Sequence, residues 1–504
     1  MAVVTAAEPS AAQRKADAAR KAAEAMEETE KAIGAAREQA RAGALQDALT
    51  SLLALEKKHR LAGESPCVRA LAVAVVRLCH EAGDWPALCE HVVLLSKRRA
   101  QVKAAVSDMV KEAMLYVEAQ QDMDKKIKLI ETLNDVTEGK IYVEIERARL
   151  VRQLVRIREG QGKIKEAAEI LQTVAVETFG AMHKREKIAF ILEQVRLCLD
   201  HKDFMRAQIL AKKINPNTFA RAEKAAKKEA AKKEAGKEGG EAKEGEDEQK
   251  AKKKASMGTA GDAVVHEAVE GTPDLEALKV IYYEHMTRYH ASNGDYLEMC
   301  RCYLAVYETP TVAADPLRWK PLLQSAAWYA LLAPNGPEQA DLVRRLHGDK
   351  GMDELPGHKA LLKTFITKEI IHWSALQSTH RAEIEAAPAI FGGAAGVKRL
   401  EDLRLRIVEH NVLVVVAYYS HVTLARLAEL LSLDAAEAEK HLSEMVVAGR
   451  VRAKIDRPAG TVAFGAARDP ARTLSKWASS IEKLLHVVDR ACQQIEKERS
   501  LVSL

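Results

Sequence analysis

The chain carries sixteen histidines and seven cysteines, the residue types from which most catalytic and metal sites are built, yet their spacing assembles none of the familiar ones. Gly139-Lys140 and Gly162-Lys163 lack both the upstream glycine and the following Ser or Thr of a GxxxxGK[ST] phosphate loop. There is no HExxH, no GxSxG elbow, no GxGxxG, and no HxH followed by the spaced Asp that a metal-dependent isopeptidase needs. His285 and His290 are five residues apart and do not stack on one helix face. Cys300 and Cys302 form a CxC on a helical pattern, where i and i+2 point apart. The cysteines at 67, 79, 89, 198, 300, 302 and 492 are odd in number and include no CxxC, which reads as small core residues in a reducing compartment. Glu409-His410-Asn411 sets an acid, an imidazole and an amide side by side without a nucleophile motif, so His410 reads as structural. No catalytic, cofactor-binding or metal residue is expected, and no cofactor is called for. An enzyme of unfamiliar design would instead reveal a catalytic cluster on folding.

The chemistry left to such a chain is that of surfaces, and the elements that must build them are helical. Of 504 residues, 47% are hydrophobic, 30% charged and only 5% aromatic, a balance that favours long solvated helices over a β-sandwich or barrel. The length suits roughly three domain-sized units. Net charge is +5, of which the stretch 221–255 supplies +3 (12 Lys or Arg against 9 Asp or Glu), so the remainder is near neutral and lacks the concentrated basic face of a dedicated nucleic-acid binder. No secretory or transit signal is visible in the first residues. The longest apolar run, 412–419, is far short of a membrane span. A protein of the cytoplasm and nucleus is expected.

Apolar residues recur with a helical period through the first 215 residues, as in Leu71, Val75, Leu78 and Cys79. Aligning the helix starts exposes a repeat. Leu45, Trp85, Ile164 and Phe204 each follow a short polar or small-residue break, at spacings of 40, 79 and 40, and a weaker start near Asp124 to Ile127 fills the double gap. A period near 40 is one antiparallel helix pair per repeat, the signature of an α-solenoid. The next anchor, Tyr296, lies 92 residues after Phe204, and the excess matches a Lys/Glu/Ala/Gly-rich segment at 217–272 that cannot bury enough apolar area to repay ordering. Lys250 to Lys254 within it could serve as a nuclear signal; a solvated linker is the plainer reading. Residues 1–40 read as an Ala/Glu/Lys-rich helical extension, 41–216 as solenoid, and 273–400 as solenoid resumed, with a loop over 386–396.

From 401 to 470 the pattern changes. A helix over about 403–419 precedes a short helix capped by Thr423, a turn at Ser432-Leu433-Asp434, a second helix that Asp434 can cap and Gly449 ends, and two strand-like runs, Arg450 to Ile455 and Thr461 to Phe464, joined by Arg457-Pro458-Ala459-Gly460. Helix, turn, helix and hairpin make a winged helix. The second helix would enter a DNA groove in many such modules, but Glu437, Glu439 and Glu444 would repel phosphate there. Over 471–504, Leu474, Trp477, Ile481, Leu484, Val488, Ala491 and Ile495 are spaced 3-4-3-4-3-4, a heptad seam. That helix either folds back on its own domain or enters a bundle with helices of other chains.

Leu427-Ala428-Glu429-Leu430-Leu431 followed by Val451-Arg452-Ala453-Lys454-Ile455-Asp456 resembles a PCI domain, the module shared by the proteasome lid, the signalosome and a translation initiation factor. The stretches Leu94 to Arg99, Val136 to Leu150, and Val408 to Asn411 followed by Tyr418-Tyr419 extend the likeness to lid subunits over most of the chain; residues 1–40 and 217–272 depart from it. The resemblance implies a right-handed α-solenoid of TPR-like helix pairs, then the winged helix and a long C-terminal helix. It implies a hetero-oligomeric scaffold without nucleic acid or membrane, whose partners are other PCI lid subunits, the lid deubiquitinase subunits and the ATPase ring. Wing contacts would come from Arg450, Val451, Arg452, Lys454, Ile455, Thr461, Val462 and Phe464. Leu474, Trp477, Ile481, Leu484, Val488 and Ile495 would enter the bundle. The rivals are the paralogous signalosome subunit, which shares the architecture, and a winged-helix nucleic-acid regulator.

Overall fold

A computed structural model describes residues 11–221, 271–465 and 470–502. Among them are 23 helices and one three-stranded sheet. The bulk of the expected 217–272 insertion, including Lys250 to Lys254, lies outside the described residues. Its two ends are folded: Phe219 is buried beside Tyr282, and the Thr272 carbonyl accepts a bond from Arg185. The chain divides into two compact units, 1–285 and 286–504.

The first unit is a succession of helix pairs: α1 (Ala11–Arg41), α2 (Leu45–Ala62), α3 (Ser65–Glu81), α4 (Trp85–Lys97), α5 (Lys103–Ala119), α6 (Met123–Thr137), α7 (Glu144–Gly160), α8 (Ile164–Gln172), α9 (Lys184–Asp200) and α10 (Phe204–Lys212). All four strong anchors, Leu45, Trp85, Ile164 and Phe204, are the first residues of helices. The reason is a repeated corner. Two residues before each anchor the backbone turns left-handed, at Gly43, Gly83, Gly162 and Lys202, with φ between 63° and 89°. Crossed amide bonds close each preceding helix: Gly83 N–H to His80 O and Asp84 N–H to Cys79 O, for example, or Lys202 N–H to Leu199 O and Asp203 N–H to Cys198 O. Asp84 and Asp203 then cap the next helix through their carboxylates. Only Lys202 pays the strain of φ 63° with a side chain present. The segment 1–40, expected as an extension, supplies α1, which packs on α2 and α3 and buries Ala36.

One face of this array carries a ladder of ion pairs. Arg37 on α1 reaches Glu81 on α3; Arg69 and Arg77 on α3 reach Asp108 and Glu112 on α5; Lys111 on α5 reaches Glu146 on α7; Arg149 and Arg152 on α7 reach Glu186 and Glu193 on α9. Arg196 on α9 answers in reverse to Glu159 on α7 at 2.5 and 2.8 Å. The hydrogen-bonded partners of the ladder sit 35 to 44 residues apart, one repeat on. The Arg149–Glu186 pair is bidentate at 2.9 and 3.0 Å with Glu186 buried, and that bond holds the Arg149 guanidinium above its usual range. A second fastening is fully buried: Glu56 on α2 accepts from Arg60 at 3.2 Å, from Arg98, and from Gln101 at 3.2 Å. Arg98 and Gln101 belong to the turn after α4, so this carboxylate ties two repeats together.

The second unit takes in the C-terminal part of α11 (Leu275–Asn293) and continues with α12 (Tyr296–Tyr307), α13 (Pro310–Ala313), α14 (Pro316–Leu332), α15 (Pro337–His347), α16 (Pro356–Ile366), α17 (Trp373–Thr379), α18 (Arg381–Glu385), α19 (Pro388–Phe391) and α20 (Gly393–Tyr418). Tyr296 again opens its helix, after Gly294 at φ 75°. The stretch 386–396, expected as a loop, contains α19 and the start of α20. Its Ala and Gly residues leave no apolar stripe to read. Gly396 is required there, since a Cβ would lie 2.0 Å from the Phe391 carbonyl. The helix expected from 403 therefore begins ten residues earlier.

After α20 come β1 (His421–Thr423), α21 (Leu424–Leu431), α22 (Ala435–Val447), β2 (Ala453–Asp456) and β3 (Thr461–Phe464), then α23 (Pro470–Val502). The sheet order is β1-β3-β2, antiparallel throughout, with Val422 opposite Val462 and Val462 opposite Ile455. Thr423 caps α21 as expected, through Arg426 N–H. Asp434 does not cap α22 with its side chain; its main-chain carbonyl takes the Ala438 N–H instead. The strand expected over Arg450 to Ile455 starts only at Ala453, because the Arg450 N–H bonds back to the Met445 carbonyl to close α22.

Glu409, His410 and Asn411 on α20 fasten this module to the helices before it. Buried Glu409 accepts from Arg406 at 2.7 Å, Arg450 at 2.9 Å and Asn335 at 3.1 Å. Asn411 clamps both main-chain groups of Ile371, at 2.8 and 2.9 Å. His410 Nε2 donates to the Glu369 carbonyl at 3.1 Å, which fixes the neutral tautomer. Burial lowers the His410 pKa.

Two outcomes are expected. Arg149→Ala strands a buried carboxylate and should destabilise the fold by roughly 2–4 kcal/mol, whereas Arg37→Ala at an exposed rung should cost at most about 1 kcal/mol; chemical denaturation of the purified chain separates them. A histidine held neutral loses stability as pH falls below the unfolded pKa near 6.5. His410→Gln should therefore flatten the decline in melting temperature between about pH 7 and pH 5, and an unchanged decline would remove His410 as its source.

Candidate assembly surfaces

Two surfaces stand out among the described residues, the wing and the terminal helix. On the wing, β3 is flanked on both sides while β2 pairs only with β3, so the outer edge of β2 meets no other strand. Unpaired strand edges accept a strand or edge from another chain.

The residues expected to make wing contacts divide into four groups. Arg452 and Lys454 are exposed. Ile455, Thr461 and Phe464 are half-buried, with Ile455 and Phe464 resting on the module's core. Val451 and Val462 are buried within that core alongside Leu427, Leu442 and Met445, so their side chains offer nothing to a partner and contribute only through the backbone. Arg450 is engaged by Glu409. The wing also turns inward at its tip, where Arg457 Nε donates to Glu439 on α22 at 2.7 Å. Alternation along β2 and β3 made this division readable in principle: Val462 and Ile455 face each other across the ladder, hence one face.

The terminal helix is different in kind. Every residue of α23 whose side chain is described is exposed. Leu474, Trp477, Ile481, Leu484, Val488 and Ile495 of the seam are between 48% and 66% exposed. Leu485 and Val487, outside the expected heptad positions, broaden the apolar face. The alternative of a helix folded back on its own domain does not fit these exposures. Elsewhere in the chain a helix of this amphipathicity buries its stripe, as α3 buries Leu71, Val75 and Leu78.

Among the described residues, the CxC cysteines and the acid–imidazole–amide row singled out in the sequence are engaged structurally. Cys300 and Cys302 are both buried, their thiol pKa values pushed up to about 12 by burial, which suppresses the reactive thiolate. The Glu409-His410-Asn411 row points into three separate structural bonds. Three stretches that carry the family likeness are accounted for by the same kind of work: Arg98 holds buried Glu56, Glu146 and Arg149 are rungs of the ladder, and Glu409 and Asn411 secure the winged helix. The sequence reading missed the ladder; a basic residue recurring about one repeat before an acid was its signal. Among the described residues no helix is long and apolar enough to cross a membrane.

Comparison with known proteins agrees with this architecture. The family described as PSMD12/CSN4, N-terminal, matches residues 47–230 and 264–315, and the PCI domain family matches residues 365–466. The chain is 48% identical to 26S proteasome non-ATPase regulatory subunit 12 homolog A of Arabidopsis thaliana, over 90% of this chain and 97% of that protein. It is 32% identical to 26S proteasome regulatory subunit RPN5 of Saccharomyces cerevisiae, over 91% and 92%. Similarity to COP9 signalosome complex subunit 4 of Drosophila melanogaster is 28% and spans only 34% of this chain. With relatives this similar along nearly their whole length, the chain belongs to the family of 26S proteasome non-ATPase regulatory subunit 12.

Proposed function

We propose that this chain is a non-catalytic scaffold subunit of the proteasome regulatory-particle lid, supporting lid assembly and so the ATP-dependent degradation of ubiquitinated proteins. The carrying observation is the α23 seam, six large apolar side chains left in water, where α3 buries the equivalent stripe at Leu71, Val75 and Leu78. Burying each is worth about 1.5–3 kcal/mol, ample to hold a helix in a bundle contributed by several chains. The free edge of β2 is a second attachment point, suited to another PCI winged helix. The neighbours on this reading are other PCI lid subunits, the deubiquitinase subunits, which would supply the metal chemistry this sequence lacks, and the ATPase ring. Such a particle would work in cytoplasm and nucleus.

The nucleic-acid alternative loses ground on the wing itself. Of its four basic side chains, Arg450 and Arg457 are neutralised by Glu409 and Glu439, which leaves Arg452 and Lys454 for phosphate. The signalosome alternative is disfavoured by the short span of its match.

Affinity purification of the tagged chain from its native cells, followed by native mass spectrometry, tests the reading. Recovery with lid and ATPase subunits is expected; a separate particle without ATPases whose subunits are those of the signalosome, or a lone chain on nucleic acid, would overturn it. Ile481→Asp combined with Val488→Asp should remove about 3–6 kcal/mol of seam burial and block incorporation, while circular dichroism of the purified variant stays helical. Normal incorporation of the double variant would mean that the seam is not the attachment.

A further inference from the structure

The turn between α2 and α3 brings together three donors that no part of the scaffold reading uses. His59 lies in the last turn of α2, Glu64 follows the left-handed Gly63, and Cys67 sits in the first turn of α3. Each places a donor atom within 4.8 Å of the other two. His59 and Cys67 are both about 2% exposed, while the Glu64 side chain is about one-third exposed, so the cluster is enclosed on the protein side and open to solvent through its carboxylate. The turn is rigid: Gly63 N–H bonds to Arg60 O and Glu64 N–H to His59 O.

We infer that His59, Glu64 and Cys67 form a site for a borderline transition-metal cation of the Zn2+ class, bound by imidazole, carboxylate and thiolate with a water in the fourth position. The donor set is the mixed N, O and S set that Zn2+ takes tetrahedrally, with bonds of about 2.0–2.3 Å. In the absence of an ion, His59 Nδ1 and Glu64 Oε2 are 2.5 Å apart, closer than two ligands of one tetrahedral cation sit, so loading exchanges that hydrogen bond for two metal bonds. The site clips the first helix pair together and is independent of the lid reading.

Cobalt is the probe, because a thiolate ligand gives Co2+ an intense charge-transfer absorption. The full-length chain carrying Cys492→Ser, which removes the one fully exposed thiol, is titrated with Co2+ and then with Zn2+. The expected result is one Co2+ per chain, a charge-transfer band displaced by Zn2+, and loss of that band in Cys67→Ser. Glu64→Gln, at a solvent-facing position that leaves folding intact, should weaken affinity by roughly tenfold or more. Zn2+ should raise the melting temperature of the parent but not of Cys67→Ser. Absence of the band in the folded parent, its survival in Cys67→Ser, or unchanged affinity in Glu64→Gln would each overturn the assignment.

Discussion

A single pair of antiparallel helices cannot hide its own apolar stripe, and everything else in the first unit follows from that constraint. Leu49, Leu52, Leu71 and Val75 are each within 1% of complete burial because they are covered by the next pair as well as by their own. Stacking demands that every pair present the same face at the same angle. The left-handed corners at Gly43, Gly83 and Gly162 meet the demand by giving each chain reversal the same geometry. The ion-pair ladder then adds direction. Its rungs run mostly from a base on the earlier helix to an acid on the next, so the pairs match only in one order.

The polar residues of this protein work mainly as fasteners. Glu56, Glu186 and Glu409 are carboxylates withdrawn from water, and each is met by at least one guanidinium. Breaking such a pair is far costlier than the pair's net worth, because the survivor is left charged and buried. The stretches around Arg98, Arg149 and Glu409 are thus constrained by the penalty for losing one partner.

Much of the fold was legible because its signals are local. Apolar period, capping residue and turn residue all fall within a few positions of one another, so Trp85, Phe204 and Tyr296 could be assigned as helix starts from the short break before each. Where the signal was not local, the reading failed. The strand at His421–Thr423 is three residues long and exists only because β3 pairs with it. The corner at Pro388–Phe391 is set among Ala and Gly residues, and Trp328, against which Phe391 packs, is remote in sequence. At the assembly surfaces, the seam was visible as a heptad pattern, but which wing residues face outward depended on register: Val451 and Val462 were expected at a contact and lie in the core. The His59, Glu64 and Cys67 grouping matches no standard metal spacing and appears only once the turn at Gly63 brings its members together.

The exposed seam of α23 has a consequence for how much of this chain a cell can tolerate. Within this chain, none of the described side chains of that helix is covered. On the proposed bundle, copies made in step with their partners would be shielded as they assemble, whereas surplus copies would carry an apolar handle open to self-association. If the seam is the attachment proposed above, the same side chains would mark the subunit as supernumerary whenever it has nothing to attach to.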